Sequence, residues 1–137
     1  MSPSLPHFEH CRILHVDDNE DDSFLFQQAL ARLGCKGDYE WIDSGPAALS
    51  WLSGAARPNI IVADGYRAAG PELLQHMRDA LGGDHVPIVV YSGDSDKHAM
   101  EDALHHGATG FILKRATFED SVIAVGRILN LCKNGPG

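Results

Sequence analysis

The sequence predicts an α/β fold: five βα units wound into one open, doubly wound parallel sheet with strand order 2-1-3-4-5. Three observations carry this. Short apolar runs alternate with segments of helical period five times along the 137 residues. Glycine closes four of the helical segments, at Gly34, Gly54, Gly82 with Gly83, and Gly107. Three apolar runs end on charge: RILHVDD on Asp17 and Asp18, NIIVAD on Asp64, and GFILK on Lys114.

Each element follows from local pattern. Ile13 to Val16 form the first strand, after which Phe26, Leu30 and Leu33 recur at helical spacing until Gly34. Tyr39 to Ile42 make the second strand, and Pro46 opens a helix carrying Ala48, Trp51 and Leu52 that Gly54 closes. Asn59 to Ala63 are the third strand. Pro71 is the expected start of the third helix, with Leu74, Met77 and Leu81 on one face. Val86 to Tyr91 read as a fully buried strand, followed by a helix through Met100, Ala103 and Leu104. Phe111 to Leu113 form the fifth strand. Thr117 with Asp120 resembles a capping box for the last helix, whose Val122, Val125, Leu129 and Cys132 face inward. Residues 11–133 therefore make one domain, with residues 1–10 and 134–137 as loose tails.

Composition bounds the function. A chain of 14.8 kDa with 44% hydrophobic residues suits one core. The N-terminus MSPSLPHFEHC lacks a basic start and an apolar stretch, so it is not a secretory signal, and no run of 18 apolar residues offers a membrane span. A net charge of −8 without clustered Lys and Arg excludes a bare nucleic-acid binder and favours a protein partner. Cys11, Cys35 and Cys132 are odd in number and widely spaced, so a disulfide framework or zinc knuckle is not expected. The expected setting is the cytoplasm, with reduced thiols.

In the order 2-1-3-4-5 the first and third strands are neighbours, and the chain reverses direction between them. Asp17, Asp18 and Asp64 would then meet at the switch point where such sheets bind ligands. The fourth strand would bring Ser92 beside Asp64, and Lys114 would reach in from the fifth. Three crowded carboxylates are expected to raise one another's proton affinity, a strain that a hard divalent cation relieves.

Four pieces, ILHVDDNEDD, RPNIIVAD, VPIVVYSGDSD and GATGFILK, stand in register along residues 11 to 133. Together they resemble the response-regulator receiver domain of two-component signalling, with its flavodoxin-like fold, and especially the stand-alone receivers associated with phytochrome kinases. The resemblance implies a phosphoprotein that takes a phosphoryl group on Asp64 from a sensor histidine kinase or a histidine phosphotransfer protein. It implies Mg²⁺, or Mn²⁺, bound directly by Asp18 and Asp64, through water by Asp17, and by the backbone carbonyl of Tyr66. Ser92 and Lys114 would cradle the phosphoryl oxygens. Ser92 and Phe111 would form the switch, and Tyr66 and Asp94 would tune the phosphoryl lifetime. Such a protein transfers and hydrolyses its own phosphoryl group without being a conventional enzyme. It signals by docking to a downstream target, without contacting nucleic acid or membrane. The face of the fourth helix, fifth strand and fifth helix is the implied output surface, and the one through which a homodimer would form. The chain ends where an output domain would begin, which fits a single-domain regulator.

Two departures from the family pattern matter. After Asp64 the chain runs GYRAAGPELL, about two residues shorter than usual and without the Met-Pro pair, so the loop bearing the third metal ligand is expected to differ. Lys114 is followed by Arg115 instead of proline; a cis bond there would cost about 2.5–4 kcal/mol, so a trans bond and a displaced Lys114 are expected. These favour an alternative reading, a degenerate pseudo-receiver that binds partners without phosphorylation. Arg115 either adds a cation near the phosphoryl group or is a solvated surface residue. A hydrolase with an aspartyl-phosphate intermediate would want an acid two residues after the nucleophile, where Tyr66 stands.

Other residues invite a simpler reading. His98, His105 and His106 form no HExxH or comparable ligand set. His15 is expected to be a partly buried core residue, and Trp41 and Trp51 core or core edge. Of the consecutive Phe24, Leu25 and Phe26, one is expected to be exposed on the first helix, the kinase-docking element by resemblance. GxxxxGK[ST] is absent, so Ser44 and Gly45 mark a helix start.

Overall fold

The computed structural model describes residues 11–132 apart from 36, 55, 56, 65, 84, 94–96 and 115, and leaves the side chains of 66–71 undescribed. Its elements alternate strictly: β1 (Ile13–Val16), α1 (Glu20–Arg32), β2 (Tyr39–Ile42), α2 (Gly45–Leu52), β3 (Ile60–Ala63), α3 (Tyr66–Leu81), β4 (Ile88–Ser92), α4 (Lys97–His105), β5 (Gly110–Leu113) and α5 (Phe118–Leu131). All strand pairs are parallel, in the order β2-β1-β3-β4-β5. The fold expected from the sequence is the fold observed.

Helices cover both faces of the sheet, so the three inner strands are buried throughout while β2 and β5, at the edges, are mostly half-buried. Alternate residues of each strand feed two cores. Leu14, Val16, Ile61 and Val90 join Leu52, Leu74 and Met77 from α2 and α3. Ile13, Ile60, Val62 and Val89 join Phe26 and Leu30 of α1 and Val125, Ile128 and Leu129 of α5. Truncating Met77 or Ile128 to alanine in such packing costs about 2–5 kcal/mol.

Helix ends are set by side chains. Asn19 caps α1, accepting from the N–H groups of Asp21 and Asp22 at 2.8 and 3.2 Å. Ser44 caps α2 and Thr117 caps α5, each accepting from the N–H three residues on. Gly34, at φ 74°, ends the α1 turn in a conformation that favours glycine. At the pole away from the charged strand ends, Arg78 of α3 donates to the Gly107 carbonyl at 3.0 and 2.8 Å and to the Val86 carbonyl at 2.6 Å. One guanidinium thus ties α3 to the starts of both β4 and β5.

Four expectations are corrected. The third helix begins at Tyr66, five residues before Pro71; Arg67, Ala68 and Ala69 are strong helix formers, and proline's missing N–H costs one ladder bond without stopping the helix upstream of it. The fourth strand starts after Pro87 and includes Ser92, because proline cannot donate to the ladder. Cys11 and Cys132 are disulfide-bonded across 121 residues, with Cα atoms 6.5 Å apart. Spacing could not show that the segment leading into β1 and the end of α5 converge in one core. Finally, both Phe24 and Leu25 are exposed, at 59% and 47%, and Leu104 of α4 is exposed rather than core-facing.

Candidate functional site

The strand ladder decides which acids meet. Val16 is paired with Ala63 across β1 and β3, so the residues that follow, Asp17 and Asp64, emerge side by side. The Asp64 N–H donates to the Val16 carbonyl at 2.8 Å and fixes that alignment. One carboxylate oxygen from each of Asp17, Asp18 and Asp64 lies within 4.8 Å of the others. Burial is graded across the three: Asp17 is buried, Asp64 half-buried and Asp18 exposed. Three hard oxygen donors at a rim with solvent on one side suit Mg²⁺ or Mn²⁺, which keep several water ligands.

The remaining strands supply a hydroxyl and a cation. Ser92 ends β4 and is paired with Leu113 of β5, and the Lys114 N–H donates to the Ser92 carbonyl at 2.8 Å. From there the Lys114 Nζ lies 2.7 Å from Asp64 Oδ1, 2.6 Å from Asp22 Oδ2 and 3.4 Å from Asp17 Oδ2. With arginine following it, Lys114 still reaches Asp17, Asp22 and Asp64. The bond to Ser92 anchors its backbone before Arg115, a residue outside those described.

Nor does crowding raise the Asp17 carboxyl. Burial pushes it up, but the His15 ring, the Asn19 N–H and the Lys114 ammonium together hold it below its ordinary value of 3.8. The Asn19 N–H bond is a short 2.9 Å. His15 Nε2 stands 3.5 Å from Asp17 Oδ2, at the outer limit of hydrogen bonding, and has no other partner among the described residues. Lys114 shows the reverse balance. Burial would lower its pKa, yet Asp22, Asp64 and Asp17 hold it well above 10.5. The ammonium is firmly charged and partly neutralises the acids around it.

Three contributors were hidden in the sequence. Asp22, within ILHVDDNEDD, gave no sign in the sequence that it would meet Lys114. Trp41, read as core or core edge, donates from Nε1 to the Asp17 carbonyl at 2.7 Å. His15 is fully buried, not partly, with Nδ1 2.7 Å from the Tyr39 hydroxyl, which is itself 2.9 Å from Ser23 Oγ. The His15 ring packs on Phe26 with centroids 4.5 Å apart. A polar residue within an otherwise apolar strand was the available signal, because buried polar groups need partners.

Phe111 is half-buried against the α2–α3 core and lines a groove of about 410 Å³ with Met100, Ile112, Asp120, Ile123 and Arg127. Ser92 is buried at the end of β4, and Phe111 lies on the neighbouring strand β5, paired with Val90. Tyr66 is the first residue of α3; its side chain, and all of Asp94, lie outside the described residues. Among the described residues no His cluster forms a metal site, and no helix is long and apolar enough to cross a membrane.

Residues 13–125 match the response regulator receiver domain family. The chain is 28% identical over 115 residues to the probable methanogenesis regulatory protein FilR2 of Methanothrix harundinacea, covering 79% of this chain and 74% of that protein. Among solved structures it is similar to the phosphorylated cyanobacterial phytochrome response regulator RcpA, with a TM-score of 0.76 and 24% identity over 87% of this chain and 91% of that one. It is also similar to the Mn²⁺-bound form of the response regulator Rcp1, with a TM-score of 0.71 and 21% identity over 85% and 91%. At these identities the structural likeness speaks to fold alone.

Proposed function

This chain belongs to the response regulator receiver domain family, and from that premise we propose that it accepts a phosphoryl group on Asp64 and signals by docking to another protein. The observation that carries the reading is the meeting of Asp64 with Lys114 at 2.7 Å beside the Asp17 and Asp18 carboxylates. The donor is a phosphohistidine on a sensor kinase or phosphotransfer protein. An Asp64 oxygen forms the new P–O bond as the P–N bond breaks, and the histidine leaves as imidazole after taking a proton. Asp18 and Asp64 directly, Asp17 through water and the Tyr66 carbonyl would hold Mg²⁺ or Mn²⁺, which when bound adds positive charge against the phosphoryl oxygens. The binding of Mn²⁺ by the similar Rcp1 supports this choice of ion.

The chain's own groups do the positioning. The Lys114 ammonium donates to one phosphoryl oxygen and the Ser92 hydroxyl to another. The added charge of about −1.5 to −2 then draws both toward Asp64, and Phe111 turns into the space Ser92 leaves. Because Phe111 lines the groove between α4, β5 and α5, the change reaches that face, where a target or a second copy docks. Hydrolysis of the acyl phosphate resets the domain, which acts in the cytoplasm as a transient phosphoprotein.

One observation favours the second reading, a phosphorylation-independent binding module: α3 starts only two residues after Asp64, leaving little loop to carry a third metal ligand. Incubation with acetyl phosphate and Mg²⁺, followed by intact mass spectrometry beside Asp64→Asn, separates the two. A gain of one phosphoryl group in the wild type alone supports the phosphoacceptor. No gain with acetyl phosphate or with a phosphorylated histidine donor supports the binding module.

A further inference from the structure

Among the described residues Lys114 makes three ion pairs, and the shortest goes to a residue outside the carboxylate triad. Asp22 Oδ2 is 2.6 Å from Nζ, against 2.7 Å for Asp64 and 3.4 Å for Asp17. Asp22 sits in the first turn of α1, where its N–H is held by the Asn19 cap, and the Asn19 N–H in turn donates to Asp17 Oδ1. A single capping residue therefore sets Asp22 relative to the metal-binding acids.

Resting on the phosphoacceptor reading, we propose that Asp22 is a positioning residue that keeps Lys114 at the phosphoryl site when a divalent cation occupies Asp17, Asp18 and Asp64. An ammonium and a divalent cation drawn to the same carboxylates repel each other and compete for them. Asp17 and Asp64 belong to both. Asp22 pairs with Lys114 and is not among the three acids whose oxygens converge. It gives the ammonium a counter-charge that the metal does not claim. Nζ has three donors, so one bond to Asp22 leaves two for Asp64 and an incoming phosphoryl oxygen. The Tyr91 ring, with its centroid 5.6 Å from Nζ, flanks the ammonium from β4.

Without Asp22, Lys114 falls back on the metal's own ligands. Mg²⁺ then binds more weakly, and phosphoryl transfer slows even when Mg²⁺ saturates. The test uses the full chain and two readouts: Mg²⁺ affinity from tryptophan fluorescence, and initial phosphorylation rate from acetyl phosphate at saturating Mg²⁺. Asp22→Asn should lower Mg²⁺ affinity about threefold to tenfold, an ordinary coupling for groups in contact, and should slow phosphorylation by a similar factor. Asp22→Glu should restore part of both. Asp21→Asn removes an equal charge from the same helix turn and should change neither by more than about twofold. Lys114→Met should tighten Mg²⁺ binding, and adding Asp22→Asn to it should have little further effect. An equal loss of affinity from Asp22→Asn with and without Lys114 would overturn the proposal, as would unchanged kinetics in Asp22→Asn. A wild type that neither binds Mg²⁺ nor gains a phosphoryl group would overturn the phosphoacceptor reading itself, and this inference with it.

Discussion

The indole Nε1 of Trp41 donates a hydrogen bond to the backbone carbonyl of Asp17 at 2.7 Å, joining the edge strand β2 to the point where β1 delivers its acids. The indole is half-buried, and its bond goes to the backbone of a residue in the candidate cation site. It is a built-in reporter of what happens there.

Titration with Mg²⁺ should therefore change the tryptophan fluorescence, and chelation should reverse the change. Trp41→Phe should abolish most of the signal while leaving the ion bound, because Trp51 lies on α2. Ion binding should also raise thermal stability. At a Mg²⁺ concentration ten times Kd the gain is about 1.4 kcal/mol, or a few degrees in Tm. The rise should vanish in Asp64→Asn if that carboxylate is a ligand, and differential scanning fluorimetry with and without chelator reads it directly.

Alkaline pH probes the network beneath the site. Burial pushes the Tyr39 phenol up from 10.0 to about 12, with the Ser23 hydroxyl opposing and Asp17 adding to the shift. The unfolded phenol ionises first, so the folded state binds the proton more tightly. This contribution is complete below pH 10.0 and is lost as pH rises toward about 12. Solvent screening of the half-exposed phenol keeps its size below the roughly 2–3 kcal/mol that a fully buried group would contribute. Lys114, also raised, adds a loss of the same sign. Urea unfolding should show stability falling across this window, and Tyr39→Phe should make the fall shallower. An unchanged slope in the variant would mean that Tyr39 is not the group responsible.

The Cys11–Cys132 bond closes nearly the whole domain. Chain entropy for a loop of about 120 residues puts its stabilisation near 5 kcal/mol at most, with about 2–4 kcal/mol typical of measured cases. Reduction, or Cys132→Ser, should lower the urea midpoint accordingly and leave Mg²⁺ binding unchanged, since both cysteines lie in the α1–α5 core. In a reducing cytoplasm the thiols would persist. Comparing masses with and without reductant, for protein isolated under thiol-blocking conditions, determines which form exists.

Most of the architecture was legible because hydrophobic period and glycine punctuation are local. The runs Ile13 to Val16 and Ile60 to Ala63 could only be buried strands, and once their order was inferred Asp17 and Asp64 had to be neighbours. Proline misled at residue 71, where its usual preference for the first helical turn gave way to the strong helix formers before it. What composition could not convey was pairing at a distance. Beyond Asp17 and Asp18, the acids Asp21 and Asp22 looked alike, and only a lysine brought near in three dimensions separates Asp22 from Asp21. His15 likewise looked like a tolerated core residue, and its bond to Tyr39 depended on β1 and β2 aligning His15 with Trp41. The cysteines read as free because sequence separation says nothing about where two ends of a domain converge.

The guanidinium of Arg78 ties the end of the molecule that lies away from the acids. By stapling the carbonyls of Val86 and Gly107, it denies β4 and β5 any sliding past each other at the pole remote from the acids. A Cβ on Gly107 would press within 3.2 Å of the Arg78 side chain, so even that turn has little slack. Rearrangement of these two strands is resisted at this end, and at the other it must work against the single Lys114 to Ser92 backbone bond.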